Sequence, residues 1–310
     1  MKKFHFADRL HEAIEKKNSR VCVGLDPRLE KIPKAIRDKH FENEKNPFKA
    51  VAESIIEFNK ALIDAITDVV PVVKPQIAFY EPYGPEGIRA FYETVNYAKE
   101  KGLITIADIK REDIGSTAEA YAKAYLGKIE VNGEEFPGCD ADSVTIGPYL
   151  GWDSVKPFVT EGAKNGKGVF VLVKTSNVSS ADLQDLKMED QRSVYEIMGQ
   201  YVDSWGADEV GESGYSMTGA VVGATFPDQL ADLRALMPQS IFLVPGYGAQ
   251  GGTAEDVKGA FDENGLGAIV NSSRGIIFAW EKSDTFTEQD FADAARHAAQ
   301  EMTEAIQKVL

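Results

Sequence analysis

Three residues able to move a proton or stabilise a charge fall close together in Asp108-Ile109-Lys110-Arg111-Glu112-Asp113. A lysine flanked by carboxylates stays protonated, because opposite charges favour the charged form. It is then a poor Schiff-base nucleophile and a good proton donor. An aspartate held beside a substrate carboxylate repels it. Two unit charges ~4 Å apart interact by about 4 kcal/mol at an effective dielectric of ~20. Expelling that carboxylate as CO2 relieves the repulsion, and a neighbouring lysine can stabilise and then protonate the carbanion left behind. Only effects that strengthen toward the transition state accelerate such a step. Other chemistries have less support. The four histidines, His5, His11, His40 and His297, fall outside the expected strand ends, and neither cysteine pairs with them. A histidine-based triad or a zinc site is therefore not indicated, and no metal is expected.

Something must hold these charges together. Leu103 to Ala107 is an apolar, partly β-branched run of the kind a buried parallel strand shows. A helical run, Ala118 to Leu126, follows. The charges thus sit where a strand ends and a helix begins, the edge at which α/β proteins bind ligands. The spacing D-x-K-x-x-D cannot place all three on one strand face. It can converge if the strand ends near Lys110 and the chain turns, with Asp108 and Lys110 on the same side.

The same alternation runs along the chain. Phe6, Leu10 and Ile14 mark a helix over 4–17, and Arg20 to Leu25 a strand that leaves Asp26 at its end, before Pro27. Residues 29–46 read as charged and irregular. Val51, Ile55, Phe58, Leu62 and Ala65 mark an amphipathic helix. Val69 to Val73, interrupted by Pro71, is a second strand running into Lys74, and Pro85 suits the first turn of the next helix. Residues 128–140, with Asn132-Gly133, read as a hairpin-like insertion. Further strands are expected at 142–146, 168–173, 219–223, 240–244 and 267–270. Helices fall at 153–164, near 189–205, at 228–237, and after Thr287, where Phe291, Ala295, Ala298, Met302 and Ala305 share a face. Loop 206–217 is polar and Gly-rich. Eight strands alternating with helices predict a single (β/α)8 barrel domain over 1–310. A doubly wound open sheet is the competitor, weakened because no G-x-G-x-x-G follows the first strand.

In a barrel, all the C-terminal strand ends form one rim. It would gather Asp26, Lys74, Asp108, Lys110, Asp113, Ser176, Gln250 and Arg274. The loops after the seventh and eighth strands are the usual phosphate site of this fold. Pro245 to Gly252 carries four glycines, whose backbone N–H groups could approach an anion, and Arg274 can fork onto phosphate oxygens.

Composition bounds the reading. A net charge of −15 argues against a nucleic-acid or membrane-surface protein, since both need a basic footprint. No apolar run reaches ~18 residues, and no signal peptide is visible before Asp8. Two cysteines, Cys22 and Cys139, do not make a disulfide framework, and a cytoplasmic setting fits.

Asp108-Ile109-Lys110-Arg111-Glu112-Asp113-Ile114 with Thr117 resembles the signature of the orotidine 5′-monophosphate decarboxylase family. So do Val23-Gly24-Leu25-Asp26-Pro27, Lys74, Pro245 to Gly252 and Arg274-Gly275, a likeness spanning about residues 20 to 280. Lys74-Pro75-Gln76, Val173 to Asn177 and Val222 to Thr225 resemble its longer bacterial branch. The D-x-K-x-x-D motif is shared with metal-dependent sugar-phosphate decarboxylases and synthases of the same superfamily. Those carry an acidic metal ligand after the second strand, where this chain has Lys74.

The resemblance implies cofactor-free conversion of orotidine 5′-monophosphate to UMP, the last step of UMP biosynthesis. It implies a charge network of Lys74, Asp108, Lys110 and Asp113, with Lys110 donating a proton to C6 and Asp108 beside the departing carboxylate. Asp26 and Lys74 would bind ribose hydroxyls, Ser176 the pyrimidine edge, and Gln250 and Arg274 the phosphate. Asp113, Ile114 and Thr117 would reach a partner's site, which implies a homodimer. A metal-dependent sugar-phosphate enzyme and a non-catalytic nucleotide-binding barrel remain the alternatives. The insertion and loop 206–217 have no assigned role.

Overall fold

A computed structural model describes residues 5–248 and 251–310. The elements in chain order are α1 (Phe6–Lys17), β1 (Val21–Leu25), α2 (Lys34–Asn43), α3 (Pro47–Ile66), β2 (Val72–Pro75), α4 (Gly84–Glu100), β3 (Ile104–Arg111) and α5 (Gly115–Leu126). There follow β4 (Lys128–Val131), β5 (Glu134–Pro137), β6 (Ser143–Ile146), α6 (Trp152–Asn165), β7 (Gly168–Lys174) and α7 (Val194–Gly206). The last are β8 (Ser216–Val222), α8 (Pro227–Leu236), β9 (Ser240–Val244), α9 (Ala254–Val257), β10 (Ala268–Ser272), α10 (Arg274–Ile277) and α11 (Phe291–Gln307).

Eight of the strands close into a parallel barrel in the order β1-β10-β9-β8-β7-β6-β3-β2, and the helices lie outside it. This is the (β/α)8 architecture, and the open sheet is excluded by the β1–β10 pairing of Val21 with Val270. The remaining pair, β4 and β5, forms an antiparallel hairpin. Asn132 and Gly133 turn it with φ of 54° and 85°, the left-handed pair that a two-residue hairpin turn requires.

Alternation along the strands divides the apolar residues into two bodies. Between barrel and helices lies the larger, which includes Val23, Phe58, Phe91, Val144 and Val244. Inside the barrel lies a smaller plug, built from Cys22, Val72, Ile106, Phe170, Leu243 and Ile269. Phe6 of α1 belongs to this inner body, with its ring 5.9 Å from that of Phe170 in edge contact. Gly168 makes room for it: a Cβ there would stand 2.2 Å from the Phe6 ring. Arg9 donates to Asp142 Oδ1 at 2.6 Å and to the Gly166 carbonyl at 3.2 Å. So α1 closes the end at which the strands begin, and the opposite rim stays open.

Loop 206–217 belongs to that closed end. Asp8 accepts from the backbone N–H groups of Glu212 and Ser213, and His5 contacts the Glu209 carbonyl. Its last residues already belong to β8, which begins at Ser216 rather than 219.

Four expectations need correction. Residues 34–43, read as irregular, form α2, a surface helix that buries only Ile36. Too few apolar positions recur there to show a period, and polar contacts from Lys39 and His40 to Glu57 tie it to α3. The second strand starts after Pro71, because Val69 and Val70 turn back on the Ile66 carbonyl, and Lys74 lies within it. β3 runs on to Arg111, through the charged motif. On α11, Ala294, Ala299 and Ile306 are buried, whereas Ala298 and Ala305 are only half-buried. Among the described residues no helix is long and apolar enough to cross a membrane.

Candidate active site

The inner faces of β2, β3 and β6 end in polar residues, above the apolar plug. Val72 and Lys74 are two apart on β2, as are Ile106 and Asp108 on β3, so the polar groups continue the inward-facing rows. Lys74 and Asp108 are nearly inaccessible, at 5% and 4% exposure. Lys74 Nζ donates to Asp108 Oδ2 at 2.7 Å. Lys110 Nζ donates to Oδ1 at 2.5 Å, with its side chain about half exposed to the mouth.

Strand alternation alone does not produce the Lys110 contact. Pairing of β3 with β6 shifts register between Ala107 and Arg111, and Lys110 takes a φ of 44°. That conformation is uncommon for a residue with a side chain and marks a bulge that re-aims it. The Lys110 N–H is held there by Thr145 Oγ1 at 3.1 Å.

Two further donors complete the carboxylate: Gln76 Nε2 to Oδ2 at 2.8 Å and Thr145 Oγ1 to Oδ1 at 2.7 Å. Asp108 therefore accepts four hydrogen bonds, two of them from ammonium groups. Burial by itself would raise its pKa, but the charges of Lys74 and Lys110 and their hydrogen bonds hold it well below the ordinary carboxylate range. Burial would likewise lower the Lys74 pKa, yet Asp108 and then Asp26 hold it above the ordinary lysine value. The pair is locked ionised, and Lys74 has a second carboxylate nearby in Asp26.

Gln76 and Thr145 were not singled out from the sequence for this role. Thr145 had a signal, a hydroxyl two residues beyond Ser143 and between the apolar Val144 and Ile146 of β6. Gln76 had almost none, since it lies just past the end of β2.

These groups line a cavity of ≈ 350 Å³, in the size range of small-molecule sites. Lys74, Asp108 and Lys110 make one wall, and Thr175, Ser176 and Asn177 another, over Leu172, Val221, Leu243 and Pro245. One side is thus charged and the rest suits a flat, weakly polar ring.

Other candidates distribute unevenly. Asp26 lies at the end of β1, with Oδ1 buried and without a hydrogen-bond partner among the described residues. Arg274 opens α10, is exposed, and has no hydrogen-bond or ion-pair partner among the described residues. Asp113 does not join the cluster in its own chain; its Oδ1 accepts from the Ile114 N–H at 2.7 Å. Thr117 is exposed, and Ile114 is 60% exposed. Gln250 lies outside the described residues. The Gly-rich loop differs from expectation, because the N–H groups of Gly248, Gly251 and Gly252 are taken by the loop's own carbonyls. Its positive φ values, 106° at Gly246, 69° at Gly248 and 95° at Gly251, serve that tight internal bonding.

Comparison with known proteins agrees with this geometry. Residues 19–287 match the model of the orotidine 5′-phosphate decarboxylase / HUMPS family. An orotidine 5′-phosphate decarboxylase of Rhodopirellula baltica is 46% identical over 304 residues, covering 97% of this chain and 98% of the relative. One from Caldicellulosiruptor bescii is 42% identical over 302 residues, with 97% and 98% covered. Among solved structures, the Leishmania donovani OMP decarboxylase superposes with a TM-score of 0.74 at 31% identity, over 98% of each chain. A charged triad over an apolar cavity and full-length likeness to these relatives have one reading: the chain belongs to the orotidine 5′-phosphate decarboxylase / HUMPS family.

Proposed function

We propose that this chain decarboxylates orotidine 5′-monophosphate to UMP and CO2, the last step of UMP biosynthesis, using only its own side chains. The observation that carries the reading is Asp108: a buried carboxylate kept ionised by four donors, set between two lysines at the wall of an apolar-floored cavity. With the pyrimidine on that floor, its carboxylate faces Asp108 and is repelled. As the C–CO2 bond breaks, its electron pair stays on C6, next to the ammonium of Lys110. Lys110 then gives C6 its proton, and CO2 leaves. Repulsion strains the bound substrate and falls along this path, while attraction grows, so both lower the transition state relative to the bound substrate.

The other roles rest on chemistry and placement. Asp26, with its unpartnered acceptor beside Lys74, binds ribose hydroxyls together with that lysine. Ser176, which lines the same cavity past the end of β7, meets the pyrimidine edge. Arg274 holds the phosphate through charge-assisted hydrogen bonds, with Gln250 assigned beside it. Asp113 and Thr117 act in the site of a second copy, making the working unit a homodimer. The exposure of Thr117 and of the apolar Ile114, and the position of Asp113 outside its own chain's charge cluster, support this. The whole chain is taken as one barrel domain, acting in the cytoplasm, where its two free, buried cysteines stay reduced.

The metal-dependent sugar-phosphate reading is not favoured. Lys74, near the C-terminal end of the second strand, occupies the position where such an enzyme needs an anionic ligand, and the relatives reported above are nucleotide decarboxylases. The test is turnover of orotidine 5′-monophosphate in excess EDTA, with UMP identified by chromatography. Stoichiometric UMP is expected. Turnover only after magnesium is restored would overturn the metal-free reading, and no turnover by folded protein would overturn the decarboxylase reading.

A further inference from the structure

Lys174 is the last residue of β7, fully buried, and outside the charge network around Asp108. Its Nζ donates to Asp185 Oδ1 at 2.6 Å and lies 4.6 Å from the Phe226 ring centroid and 5.4 Å from that of Tyr195. Asp185 belongs to the long connection from β7 to α7. A second tie runs parallel to the first. The Thr175 N–H donates to Gln184 Oε1 at 2.9 Å, and Gln184 Nε2 donates to Thr175 Oγ1 at 2.8 Å. Two consecutive residues at the strand end are thus fastened to two consecutive residues of the connection.

Ser176 comes next. It is pressed from the other side by Gly223, where any Cβ would stand 2.9 Å from the Ser176 N, Cα and Cβ atoms. Thr225 Oγ1 donates to the Ser176 carbonyl at 3.4 Å. Ser176 is therefore caught between the end of β8 and a connection whose anchor is a buried ammonium.

We propose that Lys174 is a positioning residue, whose ion pair with Asp185 fixes the connection and so sets the Ser176 hydroxyl in the cavity. This rests on the assignment of Ser176 to the pyrimidine edge. A neutral side chain in the aromatic slot would give similar packing and let the connection slide. A buried ammonium does not, because displacing Asp185 leaves it unpaired in a medium of low polarity.

The test compares Lys174→Met, which keeps the stem in its slot, with Asp185→Asn, Ser176→Ala and the double variant Lys174→Met/Ser176→Ala. Lys174→Met is expected to lower kcat/KM for orotidine 5′-monophosphate about tenfold, the scale of one well-placed hydrogen bond. The double variant is expected to lose no more than Ser176→Ala alone, because both changes remove one interaction. Wild-type kcat/KM in Lys174→Met, or losses that multiply in the double variant, would overturn the proposal. Should Lys174→Met fail to fold, Asp185→Asn carries the same comparison with Ser176→Ala. Amide exchange without substrate separates this proposal from the reading of the site. Faster exchange confined to about 175–186 in the variant is expected, and unchanged exchange overturns the latch even if the wild type proves inactive on this nucleotide.

Discussion

Replacing Asp108 by Asn tests the network where it is most constrained. The side chain keeps its size but has one acceptor oxygen instead of two. In the native site Oδ2 serves Lys74 and Gln76, while Oδ1 serves Lys110 and Thr145. An amide can satisfy only one of these pairs, and its NH2 must face donors on the other side. Lys74 loses its closest counter-ion while remaining buried, a change that typically costs 3–5 kcal/mol when nothing else compensates. Asp26 remains near and argues for the lower figure, about 3 kcal/mol. For a chain of 310 residues the unfolding entropy is about 0.65 kcal/mol per degree, so a drop in Tm of about 5 °C is expected. Activity should fall much further. Losing a repulsion of about 4 kcal/mol against the bound substrate's carboxylate corresponds to roughly a thousandfold in kcat, with KM falling alongside it because the strain is on the bound substrate. Urea unfolding followed by circular dichroism, with unchanged m, reports the first number, and initial rates report the second. A variant as active as wild type would refute the electrostatic argument. An inactive but more stable variant would refute only the stability estimate, and would mean that the carboxylate is held there at a cost to the fold.

Acid should reveal the same group. The folded-state pKa of Asp108 is depressed, so its contribution to stability is present above the ordinary carboxylate pKa of ~4 and is lost as pH falls toward the depressed value. Wild type should lose stability below about pH 4 with a steeper slope than Asp108→Asn; equal slopes would remove Asp108 from the acid response. Arg274→Ala should raise KM for the nucleotide by about 10- to 100-fold, the worth of one or two charge-assisted hydrogen bonds, and leave thermal stability unchanged. Unchanged KM would move the phosphate elsewhere. If Asp113 serves the neighbouring site, Lys110→Ala and Asp113→Ala, each inactive alone, should regain about a quarter of wild-type activity when co-expressed and randomly paired. Half the dimers would be mixed, and each would hold one intact site. No recovery on mixing would place Asp113 in its own chain's site.

How far the sequence carried this account differs by element. The barrel was legible because buried parallel strands are short apolar runs that stand out between amphipathic helices. The β4–β5 hairpin was legible because Asn132-Gly133 has one favoured turn. The surface helix α2 was not, since a helix that buries a single residue carries no period. Nor was the start of β2, where Pro71 stands just outside the strand rather than within it. At the site, the pairing of Asp108 with Lys110 followed from their types and spacing, but the bulge that joins them did not. A left-handed lysine has no local signature, and only the register between β3 and β6 creates it. Gln76 and Thr145 escaped for a related reason. Their role arises from neighbouring strands 30 and more positions away, and an uncharged polar side chain says little about what it will face.

The central claim is that Lys110, charged and bound to Asp108, protonates the carbon from which CO2 departs. The most direct test follows the ultraviolet absorbance of orotidine 5′-monophosphate in a single turnover, wild type beside Lys110→Ala, with binding of UMP measured on both. The account predicts loss of the substrate band with wild type only, while Lys110→Ala still binds UMP. Equal rates of loss in both proteins would contradict it.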